Sequence, residues 1–161
     1  GVNVADDVTY SGTIAGAFEG TLLGIPAIAM SLATRMHETS DRVKWETPMQ
    51  LGADLVRRLL AAGWPKDVLV NVNFPDREPE EVAGTLVTRQ GKRDQNLLTI
   101  VDRMDTRGNP YYWFGFERRR SNPPEGSDLW AIYRGYVSVT PLHLDLTHDA
   151  TRVRLEAALA G

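Results

Sequence analysis

Two short apolar runs, Ile25–Leu32 and Val68–Pro75, constrain the fold of this chain more than any other feature. Both have the length of a strand. The first is almost uninterrupted, which fits a strand covered on both faces, as in a parallel sheet. The second is continuous in its first half and alternating in its second, and it finishes at Pro75. Each run follows a helical pattern. Ile14, Ala17, Phe18 and Leu22 fall at helical spacing, so a helix begins near Ser11 to Thr13 and stops at Gly24. A second helix is announced by Thr47 as cap and Pro48 at its first position. Leu51, Leu55, Leu59 and Leu60 carry it to Gly63, and Trp64-Pro65 ends it. Residues 33–45 lack a period and read as a loop. Helix, strand, helix, strand predicts a wound α/β sheet.

From Glu78 the texture changes. Gly84–Gln90, Leu97–Val101 and Tyr111–Phe116 read as strands, the last two joined by Asp105-Thr106-Arg107-Gly108-Asn109-Pro110, which has turn composition throughout. An antiparallel hairpin excursion is expected over 84–116. Its aromatic cluster is too large for a lone hairpin to hide, so it should pack on the main body or on another subunit. Ser127 should cap a short helix over Asp128–Arg134 that stops at Gly135. Tyr136–Leu142 alternates like a strand, and Thr147 should cap a closing helix carrying Val153, Leu155 and Leu159.

A length of 161 residues with 42% hydrophobic content suits one domain with a sizeable core. The chain has no cysteine, which removes disulfides, thiolate metal sites and a cysteine nucleophile, and fits a reducing, cytoplasmic setting. No apolar run reaches the length of a membrane span. A net charge of −3 argues against binding to duplex nucleic acid, which requires a basic face. The first residues read as the middle of a loop and lack an initiator Met, so further sequence is expected before Gly1.

The stretch Asn3–Thr13 is the best candidate for chemistry. It opens a helix, whose first turn offers unpaired N–H groups and the positive end of the dipole to an anion. Ser11 and Thr13 add hydroxyls, and Gly12 permits close approach. On the spacing alone, a simple helix cap by Ser11 or Thr13 is the commoner arrangement. Asp6-Asp7 could hold Mg²⁺ or Mn²⁺, but solvated acids ahead of a helix are the commoner arrangement. His37, His143 and His148 have no metal-ligand spacing and read as surface or capping residues. Gly91-Lys92-Arg93-Asp94-Gln95 and Arg118-Arg119-Arg120 could steer an anionic substrate or be solvated loop charges. No Gly-rich dinucleotide fingerprint, P-loop or Ser/His/Asp arrangement is visible.

Taken together, several blocks resemble a known family. Asn3, Asp6-Asp7, Tyr10-Ser11-Gly12-Thr13, Glu19-Gly20 and Gly24 through Ser31 resemble the central motif of the SurE family of survival acid phosphatases, which act as 5′/3′-nucleotidases. The likeness continues through Asn71-Val72-Asn73-Phe74-Pro75, Val87–Gly91, Asp105–Trp113, Glu125-Gly126-Ser127-Asp128, Gly135–Leu142 and Asp145-Leu146-Thr147, and so covers essentially the whole chain.

The resemblance implies a Rossmann-like wound mixed sheet with the hairpin excursion and C-terminal helix. It implies a divalent-metal-dependent phosphomonoesterase, using Mg or Mn, that acts on nucleoside monophosphates as a homodimer or homotetramer. It also implies that Asn3, Ser11, Gly12 and Thr13 hold the phosphate. The family's metal is held by an Asp-Asp pair, a later Ser and an Asn, in segments that precede the block opening this chain; Asp6-Asp7 is not that pair. Asn3 matches the phosphate-side Asn without a gap, and would be the metal-side Asn only in a gapped alignment. The chain is therefore expected to be a single SurE-like domain, 1–161, without the family's N-terminal βαβ metal-binding segment, and inactive alone. The rival reading is a non-catalytic module for oligomerisation or for nucleotide or anion binding.

Overall fold

The computed structural model describes residues 1–34, 43–93, 98–116 and 121–160. His37, Asp94, Gln95, Leu97 and Arg118-Arg119-Arg120, singled out above, lie outside the described residues. The elements in chain order are α1 (Gly12–Leu22), β1 (Ile28–Leu32), α2 (Glu46–Ala62), β2 (Val68–Phe74), β3 (Thr85–Val87), β4 (Leu98–Met104), β5 (Pro110–Phe116), α3 (Asp128–Tyr133), β6 (Val137–His143) and α4 (Asp149–Leu159). Single 3-10 stretches cover Ala5–Tyr10 and Pro79–Glu81.

The two apolar runs are neighbours. The main sheet has the order β1-β2-β6-β3, with β1 parallel to β2, β6 antiparallel to β2, and β3 parallel to β6. It is the wound mixed sheet expected from the sequence. The pleat divides β2 cleanly. Val70, Val72 and Phe74 join Leu32, Leu55, Val137 and Val139 in one apolar cluster, on which Leu51 and Leu59 of α2 pack. On the opposite face Leu69 joins Ala29 and Leu142 beneath Ile14 and Ala17 of α1. A third, smaller cluster of Val4, Ala5 and Leu129 joins the opening loop to α3.

Three helix details differ from expectation. In α1 it is Thr21 that is buried, while Leu22 is 66% exposed. At 3.6 residues per turn Thr21 lies about 20° from Ile14 around the helix and Leu22 about 80°. The Thr21 hydroxyl is satisfied locally by donating to the Ala17 carbonyl at 2.9 Å. Thr47 does not cap α2, which starts one residue earlier, at Glu46. Its buried hydroxyl donates instead to the Arg77 carbonyl at 2.5 Å, tying the helix to the loop after β2. In α4 the cap is His148, not Thr147: its ring accepts from the Thr151 N–H. Ser127 caps α3 as expected, accepting from the Trp130 N–H.

The excursion is narrower than 84–116, because Thr85–Val87 belongs to the main sheet beside β6. Only β4 and β5 form the separate antiparallel pair. Asp105 closes their turn by accepting from the Arg107 and Asn109 N–H groups, each at 2.8 Å. Tyr112, Trp113 and Phe114 are 69, 61 and 66% exposed. Because successive strand residues point to opposite faces, both faces of this hairpin are open within the chain. In α4 no residue is buried. None of the described helices is long and apolar enough to cross a membrane.

Candidate functional site

The α1-side face of β2 changes character along its length: Leu69 is apolar, but Asn71 and Asn73 follow, both fully buried. They face Thr140 and Ser138 on β6, and Asn73 is in register with Ser31 on β1. A buried amide must find partners. These find Asn3. The Asn3 N–H donates to Asn73 Oδ1 at 2.7 Å, while Asn71 Nδ2 and Asn73 Nδ2 donate to the Asn3 carbonyl at 2.8 and 3.0 Å. Asn73 Nδ2 is shared with Asn71 Oδ1 at 3.1 Å, and the Asn3 side chain donates through Nδ2 to Ser31 Oγ at 2.5 Å. Asn3 is thereby fixed at the C-terminal ends of the parallel pair β1 and β2, where wound sheets bind ligands. A cleft of about 250 Å³ opens at the same ends, lined among others by Val2, Thr34, Asp76, Arg93 and Tyr133.

From Asn3 to α1 the chain is tied down on its other side by the segment after β3. Ala5 has φ 54°, a left-handed conformation costly for a residue with a Cβ. Its N–H donates to Asp128 Oδ2 at 2.9 Å, and its carbonyl accepts from Gln90 Nε2 at 2.9 Å. Asp128 is fully buried, and its Oδ1 accepts from the Gly91 and Leu129 N–H groups at 2.9 and 2.7 Å. Burial pushes its carboxyl above the usual range, against the lowering effect of those N–H groups. Gly91 is closely packed: a Cβ there would stand 3.0 Å from Asp128 Oδ1, so the carboxylate would have to give by a few tenths of an ångström.

Asp6 and Asp7 are not solvated loop acids. Asp6 Oδ2 accepts from the Arg93 N–H at 2.8 Å. Asp7 takes the Arg93 guanidinium on both oxygens, Oδ1 from Nε at 2.8 Å and Oδ2 from Nη2. The carboxylate raises the Arg93 pKa above its ordinary value, opposed by partial burial. Both side chains are about two-thirds covered, at 28 and 33% exposure. Arg93, which the sequence offered as an anion-steering charge, is therefore committed to Asp7.

Ser11 caps α1, its Oγ accepting from the Ile14 N–H at 3.1 Å. Gly12 and Thr13 are exposed, and a Cβ on Gly12 would meet nothing within 4 Å. Among the described residues no hydrogen bond joins Asn3 to Ser11, Gly12 or Thr13; the 3-10 stretch Ala5–Tyr10 connects them. Nor do three carboxylate or imidazole side chains gather anywhere among the described residues. The oxygens nearest Asn3 are neutral amides and a hydroxyl already hydrogen-bonded to one another, a poor donor set for a hard divalent cation, which calls for carboxylates. The residues present do not fit such an ion by themselves.

The sequence places Asn71 and Asn73 on a strand and Asp128 at a helix start, and assigns none of the three a role in the site. Asn71 and Asn73 had a readable signal: two amides two residues apart in an otherwise apolar strand must share one face. Asp128 had none, because its partners Ala5 and Gly91 are distant in sequence.

This is a wound, Rossmann-like α/β protein whose opening loop is pinned at the carboxyl ends of its parallel strands and runs into a capped helix start. The chain belongs to the survival protein SurE family, whose family model matches residues 1–97. It is 57% identical over 159 residues to a protein named 5′-nucleotidase SurE from Parvibaculum lavamentivorans, covering 99% of this chain and 57% of the relative. A protein of the same name from Caulobacter sp. strain K31 is 51% identical over 161 residues, covering 100% of this chain and 60% of the relative. The crystal structure of the SurE protein from Aquifex aeolicus superposes with a TM-score of 0.79 at 41% identity, over 98% of this chain and 61% of that one. The chain thus spans less than two-thirds of the length of each of these relatives.

Proposed function

We propose that this chain is the phosphate-seating portion of a nucleoside monophosphate phosphatase, a 5′-nucleotidase. The observation that carries the reading is the pinned loop, with Asn3 held by Asn71, Asn73 and Ser31 at one end and the capped start of α1 at the other. The names of the relatives support it.

In this reading the exposed N–H groups of Gly12 and Thr13, the Thr13 hydroxyl and the Ser11 O–H point hydrogens at the phosphoryl oxygens, while Ser11 Oγ keeps Ile14 N–H as its cap. Such donors act by stabilising the charge that grows on those oxygens as water attacks in line. Asn3 orients the phosphate from the sheet side. The divalent Mg or Mn implied by the family resemblance would draw its carboxylates from outside these 161 residues. We read the exposed β4–β5 hairpin, within 84–116, as a contact to other subunits of a homodimer or homotetramer.

Phosphate release from AMP, measured for the 161-residue chain and for the longer protein that contains it, tests the reading. The chain alone should show no activity above background and the longer protein should be active. In the latter, Thr13→Val should reduce transition-state stabilisation by about 1 to 3 kcal/mol. An unchanged kcat/KM in that variant removes Thr13 from the site. Metal-dependent activity of the 161-residue chain, lost on changing Asp6 or Asp7, would relocate the metal to that pair.

A further inference from the structure

We propose that Asp128 is a positioning residue for the phosphate-seating loop: by holding the Ala5 N–H it maintains a left-handed turn, and so fixes where Asn3 and the first turn of α1 face the substrate. The inference rests on the function proposed above, and assigns a role in it to a buried side chain that touches no substrate.

The geometry is unusually specific. One carboxylate accepts from three backbone N–H groups on three separate segments: Ala5 in the opening loop, Gly91 after β3 and Leu129 in α3. The two oxygens divide the work. Oδ1 joins Gly91 and Leu129, which lie on the body of the protein, and Oδ2 reaches across to Ala5 alone. Ala5 sits at φ 54°, a conformation that an alanine leaves unless its surroundings hold it. Two residues upstream lies Asn3, and the 3-10 stretch that begins at Ala5 ends at Tyr10, directly before the Ser11 cap. Direction at Ala5 therefore governs both ends of the loop. Gln90 grips the Ala5 carbonyl, so the two peptide groups flanking the Ala5 Cα are each held from the body side, one by Asp128 and one by Gln90.

The division of oxygens supplies the test. In Asp128→Asn the amide oxygen can keep Gly91 and Leu129, but its NH₂ then faces the Ala5 N–H, donor against donor. The body contacts survive and the Ala5 contact is lost. In the full-length protein, Asp128→Asn should move the Ala5 amide resonance, increase its hydrogen exchange, and lower kcat/KM by about tenfold to a hundredfold, as small displacements of positioned groups do. Leu55→Ala, which opens a cavity under α2 in a different cluster, should lower Tm at least as much and leave kcat/KM within about twofold below its melting range. Should Asp128→Asn fail to fold, Gly91→Ala replaces it. Its new Cβ would stand 3.0 Å from Asp128 Oδ1 and 3.1 Å from Ser127 Cβ, shifting the carboxylate while keeping its charge, and it too should lower kcat/KM.

The inference is overturned if Asp128→Asn, or Gly91→Ala in its place, disturbs the Ala5 amide yet turns over AMP like the wild type. It is also overturned if Leu55→Ala, at an equal or greater loss of Tm, loses as much kcat/KM as Asp128→Asn. If the wild-type protein hydrolyses no nucleoside monophosphate, the functional reading fails separately. Orthophosphate affinity then decides the role of Asp128: weaker binding in the variant supports it, and equal binding ends it.

Discussion

The two faces of β2 are built from the same seven-residue strand and do opposite things. Toward α2 the strand presents Val70, Val72 and Phe74, which need no partner beyond close packing. Toward α1 it presents Leu69 and then Asn71 and Asn73, whose buried amides are satisfied by one another and by the backbone of Asn3. The apolar face is tolerant in direction but demanding in volume, since dispersion and burial have no angular preference. The amide face is the reverse: it fixes one orientation of the opening loop and contributes less to the total stability. Within one strand, stability and placement have been assigned to different sides.

The comparison breaks most visibly at Phe74. Phe74→Ala should cost about 3 to 5 kcal/mol of stability by denaturant titration, through lost burial and the cavity it leaves. The fraction that remains folded should keep its kcat/KM, because nothing on the Asn3 side has moved. A large activity loss in folded Phe74→Ala would show that the faces are not independent. Asn73→Val should cost less, about 1 to 3 kcal/mol, by leaving the Asn3 N–H without its acceptor while Asn71 still serves the Asn3 carbonyl. Its effect on kcat/KM should nevertheless exceed that of Phe74→Ala, and the opposite ranking would refute the division of labour.

The outer tether of the same loop sharpens the contrast. Arg93→Met removes the partner of Asp7 at a position about two-thirds covered, and should cost on the order of 1 kcal/mol, less at high salt. If Asp7 is only a tether, Asp7→Asn should show a similar cost by thermal denaturation. A several-fold greater effect of Asp7→Asn on phosphate affinity would give that carboxylate a direct role.

The smallest effect concerns pH. Burial raises the Asp128 carboxyl above its unfolded value near 3.9. The folded chain therefore holds that proton at a pH where the unfolded chain has released it. The stability this contributes is complete below about pH 3.9 and is lost as pH rises through the raised folded value. Subtracting Asp128→Asn, which does not titrate, isolates it. The wild-type advantage over the variant should shrink between pH 3 and pH 7, and an advantage that grows would mean the three N–H donors outweigh burial.

Much of this architecture was legible because it depends on local order. The helical spacing of Ile14, Ala17 and Phe18, the apolar runs of β1 and β2, and the turn residues 105–110 each act within a few positions, and each appears where the sequence puts it. What stayed hidden depends on partners far along the chain. Thr47 reads as a cap until the Arg77 carbonyl competes for its hydroxyl. Asp6 and Asp7 read as solvated until Arg93 arrives from the segment after β3. In the candidate site the Ser-Gly-Thr turn is visible as a helix start and Asn71 and Asn73 as two amides on one strand face, whereas the contact of that pair with Asn3 and the carboxylate behind Ala5 are not.

The distances along the chain between those partners have a consequence for how the protein is made. Asn3 waits for Asn73, 70 residues later, and Ala5 waits for Asp128, 123 residues later. Closing loops of that size is entropically slow, and no local contact rewards it in advance. Synthesis delivers the first residues of this chain long before the last. On the ribosome the opening loop is thus among the earliest segments of these 161 residues to emerge and among the last to acquire its shape. Any premature stop before residue 128 removes the acceptor of the Ala5 N–H, so such truncated products should hold Asn3 through Asn71 and Asn73 yet leave the left-handed turn without its Asp128 anchor.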